Sequence, residues 1–229
     1  MVALDVRDAQ AAEILLDQLH DSVRTVKIGL ELFAGAGPSI VQLARKRGKQ
    51  VFLDLKFFDI DETVRRATAR VADLGVQFLT VHAHRKTMQA AVEGKQSHPD
   101  LRILAVTVLT NFDEGDIKEE GSSWSVSELV VARAKVAADV GCEGVVASGQ
   151  EPKSIRQAVG EKLVIVTPGV RPAGTATHDQ ARVTTPAQAI DQGADYLVVG
   201  RPIRDADDPQ AAIKAILTEM QTAFDRRSG

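Results

Sequence analysis

A chain of 229 residues that is 44% hydrophobic and 26% charged holds enough apolar side chains for one sizeable core, which sets disorder aside. Its formal net charge of −3 supplies no basic footprint for nucleic acid, and its single cysteine excludes an internal disulfide. No apolar stretch reaches the ~18 residues of a membrane span, and Met1-Val-Ala-Leu-Asp5 is not a basic-then-apolar leader, so a cytoplasmic protein is expected.

In chain order, eight short apolar runs read as strands, and each is followed by a helical pattern. Val2–Leu4 precedes Ala9–Leu19, Thr25–Ile28 precedes Pro38–Arg47, Val51–Leu55 precedes Glu62–Leu74, and Phe78–Val81 precedes Lys86–Gly94. The second half repeats the pattern: Ile103–Val108 before Ser125–Val140, Gly144–Ala147 before Pro152–Val159, Val164–Thr167 before Pro186–Gln192, and Tyr196–Val199 before Pro209–Phe224. Pro38, Pro152, Pro186 and Pro209 suit a first helical turn, where a missing N–H costs nothing. Gly48, Gly75, Gly141 and Gly193 suit left-handed ends.

Strand and helix repeated eight times imply a parallel sheet. Strands that are apolar almost throughout are buried on both faces, which favours a closed (β/α)8 TIM barrel over an open doubly wound sheet. With no linker or low-complexity stretch, the expectation is one α/β domain over residues 1–229. Cys142, within Val-Gly-Cys-Glu-Gly, reads as a small buried apolar residue.

Reactive groups of such barrels gather where the carboxyl ends of the strands meet. Asp5 follows the first run, Lys27 nears the end of the second, Asp54 and Lys56 close the third, and Arg171 and Arg201 follow the seventh and eighth. Asp54 and Lys56 are two apart and share a strand face. Asp5, Lys27, Asp54 and Lys56 can alternate in sign at the mouth, each close pair gaining about 4 kcal/mol before desolvation at an effective dielectric near 20. Any one of them reads as a salt bridge tying strands together; four together point to chemistry, because buried ion pairs add little stability.

The segment Asp54-x-Lys56-x-x-Asp59-Ile60, with Thr63 beyond it, resembles the signature of the orotidine 5'-monophosphate decarboxylase family. Ala3-Leu-Asp5, Val26-Lys-Ile-Gly29, Val106-Thr-Val-Leu-Thr110, Thr167-Pro-Gly-Val-Arg-Pro172, Asp179-Gln180, Arg182-Val-Thr-Thr-Pro186 and Val198-Val-Gly-Arg-Pro202 resemble further family blocks, in order, over essentially the whole chain. The resemblance implies decarboxylation of a nucleotide without cofactor or metal. Lys56 would be the proton donor, Asp54 and Lys27 its charged neighbours, and Asp5 and Lys27 the ribose contacts. Asp59, Ile60 and Thr63 would reach into the site of a second subunit, making a homodimer with shared sites. Thr110 would touch the pyrimidine, and Arg171, Gln180, Gly200 and Arg201 the phosphate, beneath a lid formed by the polar stretch from Arg171 to Gln180.

His82 is expected to pack or hydrogen-bond, Phe57 and Phe58 to form wall or interface, and Trp124 to pack an outer loop. The family usually has His where Phe58 stands and Pro-Asn where Asp61 and Glu62 stand; negative charge suits a helix start, so the fold tolerates the latter pair. The nearest competing reading is a magnesium-dependent sugar-phosphate decarboxylase or aldolase on the same barrel. That sister group resembles this chain but carries an acidic residue where Lys27 stands, and an ammonium there opposes a divalent cation. A third reading is a silent barrel that only binds nucleotide phosphates or a protein partner.

Overall fold

The computed structural model describes residues 1–19, 21–95, 98–172 and 184–228. Among these, the first half of the chain forms β1 (Val2–Ala3), α1 (Ala9–Gln18), β2 (Thr25–Gly29), α2 (Leu30–Ala36), α3 (Ser39–Lys46), β3 (Gln50–Phe57), α4 (Asp61–Asp73), β4 (Phe78–His82) and α5 (Arg85–Gly94). The second half forms β5 (Arg102–Val106), α6 (Glu114–Glu119), α7 (Val126–Val140), β6 (Gly144–Val146), α8 (Pro152–Val159), β7 (Val164–Thr167), α9 (Pro186–Asp191), β8 (Tyr196–Leu197), α10 (Arg201–Arg204) and α11 (Pro209–Ser228).

The eight strands make one parallel sheet in chain order, a TIM-type alternation of strands and helices. Val2 also bridges Val199, just past β8, with Ala3 N–H donating to Val199 O at 2.9 Å and Val199 N–H to Met1 O at 3.0 Å.

Two apolar layers follow from this topology. Ala3, Phe52, Phe78, Leu104, Val106, Val146, Val166 and Val198 pack into one cluster on the concave side. A larger cluster fills the space between the sheet and its helices. The rings of Phe52 and Phe78 meet edge to face at 6.0 Å. Paired residues of parallel neighbours share a face, and side chains two apart share it as well. Lys27 pairs with Phe52 and Phe52 with Phe78, so Lys27, Asp54 and Thr80 rise from the same side as the phenylalanine floor. Truncating Phe52 to alanine would hollow that floor at a cost of about 3–5 kcal/mol.

Local signals explain most element ends. Ser125 caps α7 in a reciprocal box with Glu128, and Gly141 ends that helix at φ +85°, the left-handed geometry expected of it. Pro152 and Pro186 open their helices, whereas Pro38 stands one residue earlier than expected, at the N-cap of α3. Three short helices, α2, α6 and α10, were not among the sequence expectations. Helices α4 and α5 approach so closely that a Cβ at Gly94 would lie 2.3 Å from Arg65 O.

Candidate active site

Eight of the expected site residues line one cavity of about 460 Å³ at the carboxyl ends of the strands: Asp5, Lys27, Asp54, Lys56, Thr110, Arg171, Gly200 and Arg201. Their charges alternate as the spacing suggested. Lys27 Nζ donates to Asp5 Oδ1 at 2.9 Å and lies 3.6 Å from Asp54 Oδ2, while Lys56 Nζ donates to Asp54 Oδ1 at 2.9 Å. The side chains of Lys27 and Asp54 are only 11% and 15% exposed, so this pair is shielded far more than a surface ion pair. Gly29 leaves room for the first pair, because a Cβ there would sit 3.2 Å from Lys27 Nζ.

Burial pushes the Asp54 carboxyl upward. The ammonium groups of Lys56 and Lys27, with hydrogen bonds from Lys56 and Thr80, outweigh it and hold the carboxyl below its usual range. Asp54 therefore stays ionised beside Lys56 at neutral pH, and the charge of one fixes the position of the other.

Lys56 does not follow the plain strand geometry that the two-residue spacing assumed. It adopts φ +49°, and among the described residues it is the only non-glycine at positive φ. The β3–β4 register shifts between Leu53 and Phe57, around this residue. Such a backbone costs about 1–3 kcal/mol, and strain of this kind collects at functional positions. The Lys56 N–H donates to Thr80 Oγ1 at 2.9 Å, and the Thr80 hydroxyl donates to Asp54 Oδ1 at 2.9 Å.

Three expected residues lie elsewhere on this chain. Asp59 and Ile60 follow β3 and Thr63 sits in the first turn of α4; all are exposed, Ile60 at 76%, and none lines the cavity. Gln180 lies outside the described residues, as does the expected lid over 173–180. Asp61 and Glu62 open α4 as proposed, and Glu62 pairs with Arg65 at 2.6 Å and Arg66 at 3.4 Å.

Two groups were not singled out from sequence. Arg204 lines the cavity and donates to the backbone O of Asp5 at 2.6 Å; its three-residue spacing from Arg201 was the available signal. Thr80 is fully buried within an apolar strand and offered none.

His82 lines an adjoining pocket rather than this cavity, and packs edge-on to Phe58 at 5.6 Å, in keeping with a packing role. Phe57 packs partly buried against the outer core, and Trp124 is 50% exposed beyond α6. Burial pushes the Cys142 thiol up to about 12, which leaves it inert as a nucleophile.

Opposed lysines and aspartates at the carboxyl mouth of a TIM-type fold define an acid–base site able to hold an ammonium proton against a reacting atom. Comparison with known proteins makes the class specific. Residues 1–216 match the model of the "Orotidine 5'-phosphate decarboxylase / HUMPS family". A relative from Afipia carboxidovorans named orotidine 5'-phosphate decarboxylase is 52% identical over 97% of this chain and 94% of its own length. One of the same name from Nitrobacter winogradskyi is 50% identical over 98% and 93%. The crystal structure of the Lactobacillus acidophilus orotidine 5'-phosphate decarboxylase superposes with a TM-score of 0.84 at 35% identity, covering 96% of this chain and 97% of that one. The chain belongs to the orotidine 5'-phosphate decarboxylase / HUMPS family.

Proposed function

We propose that this chain is a lyase that converts orotidine 5'-monophosphate to uridine 5'-monophosphate in de novo pyrimidine biosynthesis, on a single closed (β/α)8-barrel domain. The observation that carries the reading is the Lys56 ammonium, 2.9 Å from Asp54, in a cavity shared with Arg201. Cleavage of the bond between the ring and its carboxylate releases carbon dioxide and leaves an electron pair in the ring plane, where the π system cannot delocalise it. Lys56 stabilises that pair and then delivers its proton to the same carbon; Asp54 keeps the ammonium aimed. No further electron acceptor enters the balance.

Asp5 and Lys27 take the ribose hydroxyls and Thr110 the pyrimidine. Arg171, Gln180, Gly200 and Arg201 take the phosphate, so that binding energy far from the reacting bond helps assemble the site. Asp59, Ile60 and Thr63 complete the site of a second copy; their exposure away from this chain's own cavity supports that reading. The fold is common to both names in the family description, and Lys27 favours the decarboxylase of orotidine: its ammonium stands between Asp5 and Asp54, where two carboxylates would otherwise invite a divalent cation.

Purified chain mixed with orotidine 5'-monophosphate should bleach the orotate absorbance, equally well after exhaustive chelation. Constant absorbance at high enzyme concentration would leave only nucleotide binding. Turnover abolished by chelation and restored by magnesium would move the chain to the sugar-phosphate group. Shared sites are tested by mixing Lys56→Ala with Asp59→Ala, each inactive alone. Subunit exchange should rebuild one intact site per mixed dimer, and silence despite exchange would remove Asp59 from the partner's site.

A further inference from the structure

We infer that Thr80 is a positioning residue that ties the backbone of Lys56 to the carboxylate of Asp54, an inference resting on the proposed decarboxylase reading. The buried hydroxyl joins two groups no other described side chain joins: it accepts from the Lys56 N–H and donates to Asp54 Oδ1, both at 2.9 Å. The directions are fixed by chemistry, since an ionised carboxylate only accepts and an amide N–H only donates. Lys56 is thereby held at both ends by one carboxylate, directly through Nζ and through Thr80 at its main chain.

The need for such a tie arises from the backbone. At φ +49°, inside a register shift, the Lys56 N–H is turned away from regular pairing with β4, and the Thr80 side chain supplies its acceptor. Without it, a part-buried donor loses its partner and the strained conformation loses its anchor. The ammonium would then sample positions away from Asp54. An error of about 1 Å at a reacting group can cost on the order of 100-fold in rate. Asp54 meanwhile loses one of the hydrogen bonds that hold its carboxyl down. The tie touches neither Arg171 nor Arg201, so it bears on turnover rather than on nucleotide capture.

Thr80→Val keeps the shape of the side chain and removes both hydrogen bonds; Thr80→Ser keeps the hydroxyl. In T80V, kcat should fall by roughly 10- to 100-fold, with KM within about threefold of the parent, and T80S should recover most of the loss. Two readouts do not depend on turnover: the Lys56 amide should exchange its hydrogen faster in T80V, and the Asp54 carboxyl, followed by carbon NMR, should titrate at higher pH. Parent-like values of kcat, amide exchange and Asp54 titration in T80V would overturn the inference, as would equal impairment in T80S and T80V. Should T80V fail to fold, Thr80→Ala carries the same measurements. An inactive parent enzyme would sink the decarboxylase reading, while the exchange and titration arms would still decide the tie.

Discussion

Two neighbouring cavities share the wall of Val106, Val108 and Leu109, yet they treat charge in opposite ways. In the first, Lys27 and Lys56 each face a carboxylate within 2.9 Å. In the second, Arg133, His82 and His84 gather around apolar side chains with Glu120 as the acidic member. Arg133 donates to Thr107 O at 2.5 Å, and among the described residues no carboxylate lies within ion-pair distance of it. Burial lowers the proton affinity of Arg133, His82 and His84 alike, and Glu120 only partly opposes it. Charges that alternate around a cavity suit a reaction; a basic cluster with Glu120 as its one acidic member carries a desolvation cost instead. On the proposed reading, alternation of sign rather than clustering of ionisable residues is what marks the chemistry.

The largest expected effect breaks the alternation. Lys56→Ala removes both the proposed general acid and the positive charge proposed to face the developing carbanion. Turnover should fall by at least about 10⁴-fold, combining the two contributions, measured by single-turnover absorbance on protein whose melting is unchanged. Retention of a tenth of the parental rate would reduce the network to a brace between strands.

A smaller effect contrasts two arginines, one from each cavity. Arg201→Ala, at the proposed phosphate contact, should raise KM by roughly 10- to 100-fold, the worth of charge-assisted hydrogen bonds to a phosphate of about 1.5–3 kcal/mol. Arg133→Ala should lower the melting temperature, because Thr107 O loses its donor, and leave KM within about threefold. Equal effects on KM would mean that the second cavity also takes part in nucleotide binding.

Much of this geometry is legible in the residues themselves. Eight apolar runs fell within a residue or two of the observed strands, and the charged residues at their carboxyl ends do converge on one cavity. Composition shows where a strand lies but not where its backbone departs from regularity. The expected third strand stopped at Leu55, whereas β3 runs to Phe57 and carries Lys56 in a conformation that no neighbouring residue type announces. Thr80 looked like one more residue of a buried strand, and its role depends on the β3–β4 register, a relation between segments more than twenty residues apart. Helix α2 was missed because it starts directly after Gly29 without a side-chain cap, and α10 because four residues are too few to show periodicity. Helix α6 had a readable signal, the Asp113–Asp116 capping box, on a helix of only six residues.

The smallest effect separates the cavities by pH. Burial first, then the charges of His84, Lys56 and Arg133, lower the His82 pKa against the weaker pull of Glu120; burial and Arg133 do the same for His84. Both imidazoles therefore bind protons less readily folded than unfolded, and their contribution to stability is intact above the unfolded value of about 6.5. It is lost as pH falls from there through the folded values. Asp54 is depressed relative to a carboxylate reference near 4, so its contribution persists until pH falls below that range. Thermal melting followed from pH 8 to pH 3 should decline first through the histidine pocket, and His84→Gln should flatten that decline while leaving the fall below about pH 4 in place. Were H84Q and the double variant H82Q/H84Q both to melt with the same acid slope as the parent, the second cavity would hold no titration of its own and the contrast between the two cavities would lose its energetic basis.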